Sequence, residues 1–466
     1  MKLFNTLGKE KQEFQPLEGN KVTMYACGPT VYALPHIGNF RTFFFSDIVH
    51  RYLEYKGFDV TFAMNITDID DKTIRDSAAA GMSLKEFTEK YTQVFFDGLD
   101  ALNIKRADYY PKATDTIPEM LDLVQHLLDK EIAYLVNGSV YYSIHKFPAY
   151  GKLSGMDLAA LEHGHRVDVD EYEKDEPGDF AVWKQASAEE IQRGISFDTP
   201  WGKGRPGWHI ECSAMARKQL GQPFDIHIGG VDLIFPHHEN EIAQSEGAYG
   251  DQFVKYWLHG EHLIVGGRKM SKSKGNYFTL TDLLKNYGYN EIRYLFLSTH
   301  YRDKLDYTEP TMKNAANAAA KLELALQNID FFIANAEVGT TDKEFLAAVD
   351  KRKTEFDDAM DDDLDTPRAL RAIHELVSDI YKYTGKEKTS LLKAKETLTT
   401  LLHVFGLFEK EGEREPLADV LMAKVKEREA ARAAKDWDKA DTIREELKKA
   451  HILLDDFPEG TLWRRA

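Results

Sequence analysis

The chain contains only two cysteines, and histidine and acidic residues follow the second one. Cys27 and Cys212 supply thiols, His237 an imidazole and Glu241 a carboxylate. Two thiolates, an imidazole and a carboxylate are typical of a tetrahedral zinc site. His237 lies four positions before Glu241 and His238 three, so either histidine would share a helix face with the carboxylate. The alternative is that both cysteines are small buried hydrophobic residues without a metal.

A second group of residues could bind phosphate. The segment Pro35-His36-Ile37-Gly38-Asn39 lies directly before a helical pattern. A helix N-terminus presents unpaired N–H groups and partial positive charge to an anion. Gly38 would let a nucleotide approach the backbone closely, and His36 can donate to phosphate oxygens. A plain loop that ends in a helix cap is the alternative interpretation.

Two lysines on a glycine-flanked loop form the third candidate group. The segment Lys269-Met270-Ser271-Lys272-Ser273 follows Gly266-Gly267 and precedes Gly275. Such a loop can close over a polyphosphate, where the ammonium groups of Lys269 and Lys272 would offset charge that develops as pyrophosphate leaves. A solvated basic loop is the alternative.

The elements around these residues predict a parallel, nucleotide-binding sheet. Residues 22–25 favour a strand, residues from about 38 to 56 a helix, and residues 59–64 a second strand. A strand, crossover helix and strand of this size are typical of a Rossmann-like α/β domain. Cys27 would then lie at the carboxyl end of the first strand, where open α/β sheets bind ligands.

Changes in pattern along the chain predict three parts. Residues 1–309 are predicted to form a Rossmann-like domain that would carry the candidate catalytic residues, with an inserted subdomain at about 115–200. Residues 310–410 form a helical bundle, because amphipathic helical patterns replace strand signals there. Residues 415–466 form a small α+β unit of two charged helices and a hairpin. The amphipathic patterns of the bundle lie near 343–360, 367–383 and 388–404.

Composition and charge limit the classes of function. The chain is 43% hydrophobic and 29% charged, which is typical of folded, soluble modules. No apolar stretch approaches the roughly 20 residues that span a bilayer, and no secretory signal stands at the start, so we expect a cytoplasmic protein without a membrane partner. The net charge of −17 argues against nonspecific nucleic-acid binding, although a local basic face could still bind one.

The two phosphate motifs together resemble the signature pair of class I aminoacyl-tRNA synthetases. That family usually has a second histidine where this chain has Asn39, whose amide can still donate a hydrogen bond. Other segments, distributed over nearly the whole chain, resemble the cysteinyl-tRNA synthetase family. They are Cys27 and residues 65–71, 208–212, 235–241 and 460–465.

The resemblance implies an active site with one zinc ion per chain and with ATP and Mg²⁺ as substrate components. The implied zinc ligands are Cys27, Cys212, His237 and Glu241. The implied pocket for L-cysteine comprises Gly28, Thr67, Trp208 and Asp232. The implied ATP site comprises His36, Gly38, Asn39, Lys269, Met270, Ser271, Lys272 and Ser273. The catalytic residues among them are His36, Asn39, Lys269 and Lys272.

The resemblance also implies the reaction. Cysteine would be activated with ATP to cysteinyl-adenylate and then transferred to the 3′-terminal adenosine of tRNA(Cys). Cysteine and serine differ by one atom, and a merely shaped pocket separates such pairs poorly. Because zinc binds a thiolate far better than a neutral hydroxyl, the metal would select the substrate thiolate.

The remaining implications concern tRNA, and we expect a monomer to bind it. Residues from about 226 to 309 would contact the tRNA stem, and residues 362–370 resemble part of the helical module with which class I synthetases approach tRNA. The implied anticodon contacts are Arg432, Trp437, Asp441 and Asp456. Arginine and aspartate can recognise base edges and tryptophan can stack on an unpaired base. Ordinary helix-surface charges and one core tryptophan are the alternative.

Two other functions are compatible with parts of this pattern. A cysteine ligase of mycothiol synthesis resembles the same catalytic domain but lacks an anticodon-type tail, so residues 415–466 argue against it. A noncatalytic zinc-containing RNA-binding protein would need degraded ATP motifs, whereas Lys269 and Lys272 are both present.

Overall fold

A computed structural model describes residues 1–156, 178–270, 276–410, 419–450, 452–457 and 460–465. Its strands are β1 (Lys2–Asn5), β2 (Glu10–Glu13), β3 (Lys21–Ala26), β4 (Asp59–Met64), β5 (Ala133–Val136), β6 (Ser139–Tyr142), β7 (Phe180–Gln185), β8 (Phe197–Thr199), β9 (Gly202–Pro206), β10 (Phe224–Gly230), β11 (Val254–Gly260), β12 (Leu263–Val265), β13 (Arg268–Lys269), β14 (Leu305–Tyr307), β15 (Ile452–Phe457) and β16 (Gly460–Arg465).

The helices carry labels of the same kind. They are α1 (Ile37–Tyr55), α2 (Asp71–Ala79), α3 (Leu84–Ala101), α4 (Ile117–Asp129), α5 (Ala188–Gln192), α6 (Trp208–Leu220), α7 (Glu239–Tyr249), α8 (Leu280–Leu284), α9 (Tyr289–Leu297), α10 (Glu309–Ala334), α11 (Lys343–Met360), α12 (Thr366–Lys382), α13 (Lys388–Val404), α14 (Asp419–Ala433) and α15 (Trp437–Lys449). Among the helices of the described residues, none has the length and apolar character needed to cross a bilayer.

The central sheet has four strands in the order β11-β10-β3-β4, and every neighbouring pair is parallel. Apolar residues such as Phe224, Ile226 and Ile228 are fully buried along β10, as expected for a parallel sheet covered on both faces. The predicted Rossmann-like α/β fold is therefore confirmed. From β3 the chain crosses to β4 on one side, and β10 lies on the other side, so the carboxyl ends of β3 and β10 flank a topological switch point.

An antiparallel sheet of five strands, in the order β5-β6-β7-β9-β8, lies mostly within the predicted insertion at about 115–200 and ends beyond it at β9. Its first hairpin turns at Asn137 and Gly138, whose φ angles are 50° and 82°. Positive φ angles at both positions are typical of the two-residue turns that connect hairpin strands. Salt bridges connect this sheet to the start of α2. Lys184 on β7 and Arg205 on β9 both pair with the Asp71 carboxylate.

A fully buried ion pair connects α1 with α9. The Arg293 guanidinium donates to Asp47 at 2.7 Å, and both side chains are 0% exposed. The remaining guanidinium donors bond to the carbonyl oxygens of Leu102, Asn103 and Phe405. This arrangement satisfies a charge that would otherwise be costly to bury.

The described residues separate into two compact units. One contains Met1–Ala316, Asp357–Ala369 and Val404–Gly406, and the other contains Asn317–Phe356, Leu370–His403 and Leu407–Ala466. The helices predicted near 343–360, 367–383 and 388–404 are α11, α12 and α13, displaced by at most one residue. At the end of the chain, α14 and α15 pack with the antiparallel pair β15-β16 around a small core. The predicted three-part division of the whole chain stays a prediction.

Candidate active site

Four buried donor side chains converge beside the carboxyl end of β3. Cys27 follows β3 directly, Cys212 lies on α6, Glu241 lies on α7, and His237 lies just before α7. The two sulfur atoms are 3.9 Å apart, and His237 Nε2 is 3.1 Å from Glu241 Oε1. One ligand atom from each of the four residues lies within 4.8 Å of every other. The structure thus brings together a cluster whose donor types fit a tetrahedral transition-metal ion.

A second donor set overlaps the first. It consists of Cys27, His227, His238 and Glu241, with His238 Nε2 at 3.3 Å from Cys27 Sγ and His227 Nε2 at 2.9 Å from Glu241 Oε2. The two sets share one thiol and the carboxylate, and only the set with His237 uses both cysteines. The other ring nitrogen of His238 lies 2.7 Å from His259 Nε2.

Burial controls the electrostatics of this cluster. It raises the pKa of the Cys27 thiol well above its ordinary value, and nearby Cys212 and Glu241 raise it further. Burial also raises the pKa of Glu241 to about 8, and it lowers the pKa of His238 well below its ordinary value. The thiol, carboxyl and imidazole groups of the cluster are therefore favoured in their neutral forms. A bound divalent cation would stabilise the thiolate and carboxylate forms instead.

Gly28 and Thr67, two of the four residues implied for the cysteine pocket, both hydrogen-bond to the Asn65 side chain. Gly28 follows Cys27 and donates its N–H to Asn65 Oδ1 at 2.8 Å. A Cβ atom on Gly28 would come within 1.8 Å of the Asn65 carbonyl oxygen, so the close approach requires glycine. Thr67 is buried, and its hydroxyl accepts a hydrogen bond from Asn65 Nδ2 at 3.1 Å. Sequence reasoning did not identify Asn65, although it lies in one of the segments that carry the resemblance.

The other two pocket residues are more exposed. Trp208, the first residue of α6, stacks on the His237 ring at a centroid distance of 4.2 Å and is 39% exposed. Asp232 follows β10, and its side chain is 59% exposed. His209 Nδ1 lies 3.0 Å from His237 Nδ1, which fixes the orientation of this imidazole from its other side.

The phosphate motif forms a closed cap at the start of α1. His36 Nδ1 accepts from the Asn39 N–H at 3.2 Å, and Asn39 Oδ1 accepts from the His36 N–H at 3.1 Å. A Cβ atom on Gly38 would lie 2.9 Å from Met270 Cε. The lysine loop therefore begins against the first turn of the helix. The departure from the usual second histidine has a structural role, since the amide of Asn39 completes the cap.

The segment after the lysine loop is hydrogen-bonded to the backbone in and next to the Pro35–Asn39 motif. The Ile37 N–H donates to the Phe278 carbonyl at 3.0 Å, and the Tyr277 hydroxyl donates to the Leu34 carbonyl at 2.9 Å. Lys269 is exposed on β13. Three predicted residues of this site lie outside the described residues: Ser271, Lys272 and Ser273.

Two of the four candidate anticodon residues contact each other. Asp456 on β15 pairs with Arg432, and it also forms a two-point ion pair with Arg428 at 2.6 and 2.7 Å. Trp437 begins α15 and is 57% exposed, so it is not a core residue. Asp441, one turn further along the helix, is also exposed.

Comparison with known proteins identifies two family domains in the chain. Residues 13–317 match the tRNA synthetases class I (C) catalytic domain, and residues 355–409 match the DALR domain. A cysteine–tRNA ligase of Methanosarcina mazei is 51% identical over 99% of this chain and 98% of its own length. One of Thermococcus onnurineus is 44% identical over 100% of this chain and 99% of its own length.

Solved structures show the same fold at lower sequence identity. A methionyl-tRNA synthetase of Mycobacterium tuberculosis in complex with methionyl-adenylate superimposes with a TM-score of 0.60 at 16% identity, covering 83% of this chain and 90% of that one. A ternary complex of LeuRS, tRNA and LeuAMS from Agrobacterium radiobacter K84 gives 0.61 at 10% identity, covering 85% and 84%. The match to the catalytic domain and the identity over the full length show that the chain belongs to the cysteine–tRNA ligase family of class I tRNA synthetases.

Proposed function

We propose that this ligase activates L-cysteine with Mg²⁺-ATP to cysteinyl-adenylate and transfers the cysteinyl group to the 3′-terminal adenosine of tRNA(Cys). The observation that carries the proposal is the convergence of Cys27, Cys212, His237 and Glu241 at the carboxyl end of β3. The phosphate motif follows Cys27 in the same connection between β3 and α1. The proposed thiol-binding cluster and the proposed nucleotide-binding helix start are therefore joined by this one connection.

Zinc is the metal that we propose for the cluster, held by those four residues. Two sulfurs, one imidazole and one carboxylate match its preferred donors. When bound, zinc would supply a soft Lewis acid that favours a thiolate over a hydroxyl. His209 would hold the His237 ring in place from its second nitrogen, and the stacked Trp208 indole would cover the imidazole and help to exclude water.

The protein groups around ATP would act through position and charge. The first turn of α1 and the His36 side chain would bind phosphate oxygens, and Gly38 would leave space for the nucleotide once Met270 moves away. The cysteine carboxylate would attack the α-phosphorus in line, with pyrophosphate as the leaving group. Lys269 and Lys272 would then offset the charge that develops on the leaving group. Positioning of this kind can supply most of the rate enhancement without a general base.

The rest of the chain would bind tRNA. We propose that residues 310–410 form the tRNA-binding helical part and residues 415–466 the anticodon-binding unit, with contacts to the tRNA stem from about 226–309. The exposed Trp437 indole offers a stacking surface for an unpaired base. The other proposed contacts to the anticodon are Arg432, Asp441 and Asp456. The form that we propose is a cytoplasmic monomer.

Cysteine-dependent ATP–pyrophosphate exchange tests the first step, and charging of tRNA(Cys) tests the second. The purified protein should carry about one zinc per chain. Cys212→Ser, Cys27→Ser and His237→Ala should each lose the metal together with cysteine-dependent exchange. His126→Ala is a matched control, because His126 is half-exposed on α4. Full zinc content in Cys212→Ser would overturn the ligand assignment.

A further inference from the structure

Glu211 is a fully buried carboxylate whose two oxygens are unsatisfied within the described part of the chain. It lies on α6 between the pocket residue Trp208 and the metal-cluster residue Cys212, and its relative exposure is 0%. Within the described part of the chain, neither carboxylate oxygen meets the geometry of a hydrogen bond, and Glu211 forms no ion pair. Buried carboxylates are rare without a partner, so this one calls for a ligand.

The helix geometry directs Glu211 towards the pocket. Trp208, Glu211 and Cys212 are related by three and four positions and therefore lie on one face of α6. Thr67 is close enough to affect the pKa of the Glu211 carboxyl, which burial raises well above its ordinary value and which the Thr67 side chain lowers in part. Glu211 thus adjoins a metal-cluster residue on its own helix and a proposed substrate contact on the neighbouring loop.

The neighbouring carboxylates make the contrast clear. Asp68 accepts from the Thr114 backbone N–H at 3.0 Å and from its hydroxyl at 2.6 Å. Asp70 caps α2 and accepts from the N–H groups of Lys72 and Thr73, each at 2.9 Å. Both carboxylates are satisfied by the protein, whereas no described residue satisfies the Glu211 oxygens by hydrogen-bond geometry. The negative charges of Asp68 and Asp70 also act on Glu211, so this corner of the pocket is suited to a cation.

The substrate supplies such a cation. In cysteine, the carbon that bears the ammonium group is bonded directly to the carbon that bears sulfur. A cysteine whose sulfur lies at Cys27 and Cys212 therefore carries its ammonium group only a short distance from the metal cluster. We propose that Glu211 is the buried counter-charge for the α-ammonium group of the bound amino acid, next to the Thr67 hydroxyl. This inference rests on the proposed use of cysteine as substrate.

Two thiol competitors separate this role from a merely structural one. Cysteamine keeps the thiol and the ammonium group but lacks the carboxylate, and 3-mercaptopropanoate keeps the thiol and the carboxylate but lacks the ammonium group. In Glu211→Gln, the inhibition constant of cysteamine and the KM for cysteine in pyrophosphate exchange should each rise roughly 10- to 100-fold, the size of one lost hydrogen bond between charged groups. The inhibition constant of 3-mercaptopropanoate should stay the same.

The controls distinguish a failure of this inference from a failure of the proposed function. Zinc content and unfolding temperature should match the parent protein, and Glu131→Gln, an exposed residue between α4 and β5, should leave every constant unchanged. Equal weakening of both competitors, or no weakening of cysteamine, would overturn the role of Glu211 while cysteine activation by the parent enzyme stands. If Glu211→Gln does not fold, the inference can be tested on the parent enzyme with propanethiol, which has the thiol but no ammonium group. Cysteamine should then compete with cysteine at least roughly 10-fold better than propanethiol. Equal competition would remove the ammonium subsite.

Discussion

Asp47 and Arg293 lie 246 positions apart in the chain and form an ion pair from which solvent is excluded. Burial alone would raise the pKa of Asp47, but the charges of Arg293 and Arg51 outweigh it and hold this pKa below its ordinary value. Asp47→Asn would leave the Arg293 charge buried without its counter-ion. We expect a loss of about 3–5 kcal/mol in the free energy of unfolding at pH 7, measured by denaturant titration.

The same pair predicts a pH dependence with a definite sign. A carboxyl whose pKa is lower in the folded state stabilises the protein above its unfolded-state pKa of about 3.9. This stabilisation is lost as the pH falls through the lower folded-state value. The stability difference between parent and Asp47→Asn should therefore shrink as the pH falls below about 4. Asp198→Asn, which removes a solvent-exposed ion pair with Lys203, is the control and should change little at either pH. A constant difference down to acid unfolding would contradict the prediction.

Selectivity for the thiol gives a second test. If the substrate sulfur contacts the metal held by Cys27 and Cys212, serine should support pyrophosphate exchange at least ~10⁴-fold less efficiently than cysteine, the scale at which chemically matched sites reject an analogue. The ratio of kcat/KM for the two amino acids measures this directly. A ratio of only about ten would mean that the metal does not touch the substrate.

The lysine loop predicts an effect on rate without a comparable effect on binding. Lys272→Ala should lower single-turnover adenylate formation by roughly 10²–10³-fold, the usual result of losing one preorganised electrostatic group. Binding of ATP and cysteine should change little, because the charge that Lys272 meets develops in the transition state. Lys269→Ala should act in the same direction but more mildly. Lys85→Ala, at a side chain that is 83% exposed on α3, is the control. Parent-rate adenylate formation in Lys272→Ala would remove this residue from the active site.

The exposed indole of Trp437 predicts a defect that is confined to tRNA. Trp437→Ala should lower kcat/KM for tRNA charging roughly 10- to 100-fold, the size of one lost base–aromatic stack. Cysteinyl-adenylate formation should be unaffected, and Trp437→Phe should recover most of the loss because it retains an aromatic face. Truncation near Lys410 should lower tRNA charging further and should still leave cysteinyl-adenylate formation unaffected. Normal charging by Trp437→Ala would argue against an anticodon contact.

The sequence predicted elements and donor types better than it predicted contacts. Strand β4 and helices α11 and α13 have the predicted bounds because their apolar periodicity is regular. Spacing could not choose between His237 and His238, because both rings lie near the same carboxylate: His237 Nε2 is 3.1 Å and His238 Nε2 is 3.9 Å from Glu241 Oε1.

Two other features depend on long-range packing. Glu211 has the pattern of an ordinary helix glutamate, and it is distinguished only by its burial with both oxygens unsatisfied among the residues that the structure describes. The contact between Met270 and Gly38 joins residues far apart in the chain, which no local pattern contains. Composition and spacing describe each segment separately, whereas these relationships arise when segments meet.

The order of the four proposed metal ligands along the chain has a consequence for biosynthesis. A ribosome that has released β3, β4 and most of the insertion has exposed Cys27, the first donor, and none of the other three. The second cysteine is 185 positions later, and Glu241 follows after that. Because domains fold as their chains emerge, a metal ion can find its complete set of ligands only when α7 has left the ribosome. Loading of the proposed metal would therefore be a late event in the synthesis of the chain, and a cell short of zinc would accumulate completed chains without it.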